Sequence, residues 1–189
     1  MVRTFVAVDL SKPLREALVK IQNSLSGEGF RIRWVKPENI HLTLVFLGDV
    51  HSGLLNGVHL AIVEAVRPYS PINLSAMGVG VFPGIKRPRV IWVGLSGALE
   101  RLYQLRASVA HSLARIEGLA YEVEKRPFRA HLTLGRVKGR IDSRKLARAI
   151  GRFQGIPSEP LTVDVIHVFK SDLQPGGASY TKLHSIRLA

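Results

Sequence analysis

The chain has 189 residues, 27 Lys and Arg against 14 Asp and Glu, and a formal net charge of +13. Its 46% hydrophobic content is ordinary for a globular protein and argues against disorder. The absence of cysteine excludes disulfides and thiol chemistry and removes the commonest zinc ligands. A field of this sign attracts polyanions, nucleic acid first. No run approaches the ~20 apolar residues that span a bilayer. Val2-Arg3-Thr4-Phe5 leads directly into a strand pattern that Asp9 interrupts, so no signal peptide is expected and a cytoplasmic location is.

Residues 3–10 read as a strand. Ser11 then caps a helix with Pro13 in its first turn, and Leu14, Ala17, Leu18, Ile21 and Leu25 recur at helical spacing up to Gly27 and Gly29. Residues 31–35 and 41–47 read as strands, followed by a turn from Gly48 to Gly53. A second helix covers Leu54 to Val66. Strands at 72–82 and 89–95 follow, then a third helix from Leu99 to Ile116. Tyr121 to Val123 reads as a short strand, 130–135 as another, and Asp142 to Ile150 as a short helix capped by Asp142 or Ser143. Residues 160–170 alternate as one strand. After the loop Gln174-Pro175-Gly176-Gly177, Ser179 to Leu188 closes the chain as another. Strands and helices mix without strict βαβ alternation, which predicts an α+β architecture of two similar lobes around a cleft, within a single domain over 1–189.

The tetrapeptide His41-Leu42-Thr43-Leu44 returns 90 positions later as His131-Leu132-Thr133-Leu134. Along a strand, side chains alternate between faces. The leucines of each motif then face a core, while His41 with Thr43, and His131 with Thr133, face a polar cleft. Imidazole has a pKa near ~6.5, so one ring can accept a proton while the other donates one. A threonine hydroxyl on the same face can hydrogen-bond a phosphate oxygen. With no third histidine or carboxylate in the motif phase, the pattern suits acid–base transfer at a phosphate without metal or cofactor.

Two His-x-Thr-x motifs, one per half of the chain, resemble those of the 2H phosphoesterase superfamily, and more closely its RNA 2′,3′-cyclic phosphodiesterase branch, also called the 2′-5′ RNA ligase family. Arg3-Thr4-Phe5-Val6-Ala7-Val8-Asp9-Leu10, Trp34-Val35-Lys36-Pro37-Glu38-Asn39-Ile40, Phe46-Leu47-Gly48, Arg87-Pro88-Arg89-Val90-Ile91-Trp92-Val93-Gly94, Pro127-Phe128-Arg129-Ala130 and Tyr180 extend the likeness over nearly the whole chain. The resemblance implies a bilobal, pseudo-two-fold fold with two antiparallel-sheet lobes, outer helices and a central cleft. It also implies opening of terminal 2′,3′-cyclic phosphates to 2′-phosphomonoesters, with His41 as proton donor and His131 as proton acceptor. By microscopic reversibility, ATP-independent 2′-5′ ligation is a side reaction of the same site.

Thr43 and Thr133 are expected to hold non-bridging oxygens. Arg129, two before His131, shares the cleft face if the strand extends that far. Arg136 falls on the opposite phase. Lys36, Lys86, Arg87 and Arg89 are candidates for following an RNA backbone, and Phe46, Phe82, Phe128 and Tyr180 for stacking on bases. His51, His59, His111, His167 and His184 lack the motif context and read as structural. The expected partner is RNA with a 2′,3′-cyclic end, tRNA fragments among the candidates, and the expected state is a monomer with no membrane contact. Two rivals stay open: a phosphodiesterase for a small cyclic nucleotide, and a non-catalytic RNA-binding protein.

Overall fold

The structure is a computed structural model that describes residues 1–154, 159–175 and 177–189. Among these residues nine strands form one antiparallel sheet: β1 (Val2–Val8), β2 (Ile32–Trp34), β3 (Leu42–Val50), β4 (Ile72–Phe82), β5 (Val90–Gly97), β6 (His131–Val137), β7 (Pro160–Val163), β8 (Val165–Gln174) and β9 (Gly177–Arg187). Four α-helices among the same residues pack on it: α1 (Lys12–Ser26), α2 (Leu55–Val66), α3 (Leu99–Ala114) and α4 (Ser143–Gly151). The order across the sheet is β7-β4-β5-β6-β3-β1-β8-β9, with β2 added to β6. The motif strands β3 and β6 meet at its centre through the pair Leu42–Leu132. On one side lie β3, β1, β8 and β9; on the other, β6, β5, β4 and β7.

The lobes are therefore exchanged relative to the halves of the sequence. The first motif strand is extended by the C-terminal strands β8 and β9, and the second by β4 and β5 from earlier in the chain. The alternation read across 160–170 breaks at Asp164. Residues before it form β7 and pair with β4, and residues after it form β8 and pair with β1. One apparent strand thus feeds both lobes. Tyr121 to Val123 is not a strand, and the expected turn at Gly48 is part of β3, with Gly48 at a φ of 72°. In the loop after β8, Gly176 lies outside the described residues.

The helices start where the capping chemistry predicts. Ser11 Oγ accepts the Leu14 N–H, and Asp142 Oδ1 accepts those of Arg144 and Lys145 at 2.8 and 2.9 Å. Leu14, Leu18, Ile21 and Leu25 of α1, and Leu102, Leu105, Val109 and Leu113 of α3, bury their stripes against Leu42, Leu44, Leu132 and Leu134 of the motif strands. This main core lies on the helix side of the sheet. On the opposite face Phe5, Ala7 and Phe169 form a smaller cluster with Tyr180 against it, which floors the cleft beside His41. No helix among the described residues is long and apolar enough to cross a membrane.

Candidate active site

Both motif strands carry the same local irregularity. Between β1 and β3 the register passes from Ala7–Thr43 to Val6–Val45, leaving Leu44 as the extra residue. Between β5 and β6 it passes from Trp92–Thr133 to Ile91–Gly135, leaving Leu134 extra. A bulge of this kind resets which face the following residues point to. Up to the bulge the alternation holds: Leu42, Leu44, Leu132 and Leu134 are buried, while His41, Thr43, His131 and Thr133 are only partly so. Past it, Val45 and Gly135 turn to the core, and Phe46 and Arg136 turn to the cleft. The two lobes thus present equivalent triplets, His41–Thr43–Phe46 and His131–Thr133–Arg136.

Each bulge is anchored from behind by a buried polar side chain. Gln22 of α1 donates from Nε2 to the Leu134 carbonyl at 2.9 Å and to the Val35 carbonyl at 2.8 Å. Arg106 of α3 donates from Nε to the Leu44 carbonyl at 3.4 Å. Gln22 is 6% and Arg106 9% exposed, so these contacts replace water rather than compete with it. Gly135 is required by packing, since a Cβ there would lie 2.6 Å from Ile32 Cγ2 and 2.9 Å from Trp34 Cε3.

The imidazoles are oriented alike. Nδ1 of His41 lies 2.8 Å from the Asn39 carbonyl, and Nδ1 of His131 lies 2.6 Å from the Arg129 carbonyl. A carbonyl only accepts, so each Nδ1 carries the proton and each Nε2 is the nitrogen left for chemistry. Asn39 is itself held by a bond from its Nδ2 to the Ala178 carbonyl at 2.6 Å. His41 stacks on Phe5 with centroids 4.8 Å apart and meets the edge of Tyr180 at 5.3 Å. His131 stands edge-on to Phe82 at 5.0 Å, and Phe82 stacks on Trp92 at 4.8 Å. Trp92 fits there because Gly80 opposite it has no side chain: a Cβ would come within 2.2 Å of the indole.

Burial lowers the His41 pKa from 6.5 to about 4; the nearby His131 charge acts in the same direction, against the Asn39 carbonyl and the Asp9 carboxylate. Burial likewise pushes the Tyr180 phenol up, opposed by Arg136 and Arg3.

His41, Thr43, His131 and Thr133 line one cleft of about 540 Å³. Among the described residues four cations, Arg3, Arg33, Lys36 and Arg136, share its lining with no carboxylate. Such a lining favours anions; the carboxylates Asp9 and Glu38 lie in an adjoining recess that shares Lys36, Asn39, His41 and Tyr180 with it. Phe46 is 70% exposed at the rim and Leu173 73% exposed. Among the described residues no group of three His, Cys, Asp or Glu side chains converges to hold a metal ion.

Of the residues singled out from sequence, Arg129 is placed differently from expectation. β6 begins at His131, so strand alternation does not extend to Arg129; its exposed side chain does not line the cleft, and its carbonyl orients His131 instead. Arg136 takes the cleft position because the bulge at Leu134 reverses the phase. Lys36 lines the cleft; Lys86, Arg87 and Arg89 do not. Tyr180 and Phe46 line it as well, Phe82 backs His131, and Phe128 lies under the Arg106 guanidinium at 5.3 Å. His167 is buried and bonded through Nδ1 to Ser185 Oγ at 2.8 Å, and His59 stacks on His184. Arg3, Arg33 and Asn39 went unassigned from sequence, because each reaches the cleft through pairing or a turn rather than through a motif.

The LigT-like phosphoesterase family model matches the chain twice, over residues 8–92 and 93–180. An RNA 2′,3′-cyclic phosphodiesterase from Methanothermobacter thermautotrophicus is 35% identical over 187 residues, 99% of each chain. One from Thermotoga maritima is 32% identical over 183 residues, 96% of this chain and 93% of that one. Among solved structures, a protein of Thermus thermophilus superposes with a TM-score of 0.75 at 28% identity, covering 98% of this chain and 97% of that one. E. coli LigT complexed with 3′-AMP also gives 0.75, at 25% identity, covering 100% and 98%. The paired motifs, the shared sheet and these matches agree, and the chain belongs to the LigT-like phosphoesterase family.

Proposed function

We propose that the protein opens the terminal 2′,3′-cyclic phosphate of RNA by metal-free acid–base catalysis and leaves a 2′-phosphomonoester. The observation that carries this reading is the pair of imidazoles, each bonded through Nδ1 to a carbonyl, on one cleft whose described lining has four cations and no carboxylate. The relatives' names supply the substrate class: both the Methanothermobacter and the Thermotoga proteins are RNA 2′,3′-cyclic phosphodiesterases.

In the proposed step, His131 Nε2 takes a proton from water as the water oxygen bonds to phosphorus. The bond from phosphorus to the 3′ oxygen breaks, and His41 Nε2 gives that oxygen its proton. Thr43 and Thr133 donate to non-bridging oxygens, and Arg136 offsets the charge that builds on them. Arg129 acts through its carbonyl by fixing the His131 tautomer.

The donor role of His41 needs its imidazolium, which a pKa of about 4 makes scarce in the free protein. A bound phosphate anion favours the charged ring, so substrate binding and protonation of His41 are coupled. Run backwards, with a 5′-hydroxyl in place of water, the same proton transfers join two ends through a 2′-5′ linkage without ATP. One continuous sheet spanning both lobes supports a single domain acting as a unit.

The test is turnover of a short RNA ending in a 2′,3′-cyclic phosphate, with chelator present. The 2′-phosphate is expected, and neither His41→Ala nor His131→Ala should form it at more than ~10⁻² of the unsubstituted rate. Binding without turnover would favour an RNA clamp. Turnover of a mononucleotide but not of RNA would favour a small-molecule phosphodiesterase.

A further inference from the structure

The edge where β2 adds to β6 carries an unusual arrangement of charge. Arg33 lies directly across from Arg136. One step along the same ladder, Lys138 N–H donates to the Arg31 carbonyl at 2.7 Å, so Arg31 and Lys138 are also cross-strand neighbours. Like charges directly opposite each other destabilise a sheet. Here two such pairs follow one another.

The register cannot relax to avoid this. Ile32, Trp34 and Val137 occupy the alternate positions and pack against the core, and Gly135 leaves room for Ile32 and Trp34. A one-residue slip would turn that apolar face outward. All four cations are exposed, and none is ion-paired with a carboxylate among the described residues. Arg33 and Arg136 line the cleft; Arg31 and Lys138 lie outside it. Exposed Arg140 continues the same sequence of cations.

We propose that this ladder is the path of the RNA strand on the 5′ side of the reacting phosphate. It rests on the cyclic phosphodiesterase reading. The terminal phosphate sits among Thr43, Thr133 and Arg136, and the preceding phosphodiesters run out over Arg33, then over Arg31 and Lys138. Residues two apart on one strand face advance by ~6.6 Å, comparable to the repeat of an extended nucleotide. A polyanion crossing the ladder relieves repulsion that the fold itself cannot. A mononucleotide ends in the cleft and gains nothing from Arg31 and Lys138.

The experiment compares a short oligoribonucleotide ending in a 2′,3′-cyclic phosphate with a mononucleoside 2′,3′-cyclic phosphate. The protein and its Arg31→Ser/Lys138→Ser double variant are assayed across a salt series. Unsubstituted protein should favour the oligonucleotide, and the double variant should lose severalfold in kcat/KM on that substrate alone.

Each phosphate contact on a single strand contributes about 0.7 to the salt slope, so two lost contacts flatten it by about 1.4. Between about 50 and about 200 mM salt the unsubstituted protein should therefore lose roughly sevenfold more rate than the variant. Lys138→Arg should keep the preference. The thermal midpoint of the double variant should hold or rise, because repulsion is removed.

Equal losses on both substrates, or an unchanged salt slope, would overturn the ladder. So would an unsubstituted protein that turns over the mononucleotide as well as the oligonucleotide, although the phosphodiesterase reading would then stand. Turnover of neither substrate would sink both.

Discussion

Gln22 donates its side-chain amide to the Leu134 carbonyl across 112 positions of sequence, at 2.9 Å. Leu134 is the extra residue of the bulge that separates Thr133 from Arg136. One bond from α1 therefore holds the point where the second motif strand changes phase. Arg106 of α3 does the same for Leu44 in the first.

Gln22→Leu keeps the volume and removes both donors. The Leu134 carbonyl keeps its bond from the Val35 N–H, and the Val35 carbonyl loses its Gln22 contact. We expect a loss of about 1–3 kcal/mol in stability, measured by denaturant unfolding. A shift of the bulge also moves His131 and Thr133, and a misplacement of ~1 Å can cost up to ~10²-fold in rate. An unchanged kcat in a destabilised protein would limit Gln22 to holding the fold.

Arg136→Ala and Arg129→Ala separate the two arginines near the second motif. Loss of the Arg136 side chain should lower kcat/KM by about 10²–10³-fold, the scale for one charge-stabilising donor. Arg129→Ala keeps the carbonyl that orients His131 and should stay close to the unsubstituted protein. Steady-state kinetics on the cyclic-phosphate RNA decides, and the reverse order would restore Arg129 to the cleft.

The half-buried His41 ring should titrate near pH 4 in the free protein, read by NMR of its imidazole. Inorganic phosphate in the cleft should raise that value, because an anion favours the charged ring. By reciprocity phosphate then binds more tightly as the pH falls. A His41 pKa that ignores phosphate would argue against its place beside the anion.

The same ring makes stability depend on pH. Its folded-state pKa of about 4 lies below the ordinary 6.5. Between those values the unfolded chain binds more protons, so stability rises with pH across that window. The contribution is fully present above pH 6.5 and is lost as the pH falls to about 4, up to roughly 3 kcal/mol. His167 and His184, also lowered chiefly by burial, act in the same direction. Urea unfolding at several pH values should show a shallower acid loss in His41→Phe than in the unsubstituted chain.

The motifs were legible because two residues of alternation suffice to separate His41 and Thr43 from Leu42 and Leu44. Helix starts at Ser11 and Asp142 were legible because capping is local. What failed depends on partners distant in sequence. Arg136 has the wrong parity for the cleft until the bulge at Leu134 is known, and a bulge is set by the facing strand. The stretch 160–170 reads as one strand because nothing in its composition reveals that Asp164 divides two lobes. Tyr121 to Val123 has strand-forming residues but no strand to pair with. Gln22 shows no signal at all: a single amide on an apolar helix stripe becomes informative only when the carbonyl it meets is in view.

The central claim is that His41 and His131 act as a pair on a cyclic phosphate without metal. The most direct measurement is product identity from cyclic-phosphate RNA in the presence of chelator, for the unsubstituted protein, His41→Ala and His131→Ala. The account predicts a 2′-phosphate end from the first, and at most ~10⁻² of that rate from each variant. Activity that vanishes with chelator, or that survives the loss of either histidine, would contradict it.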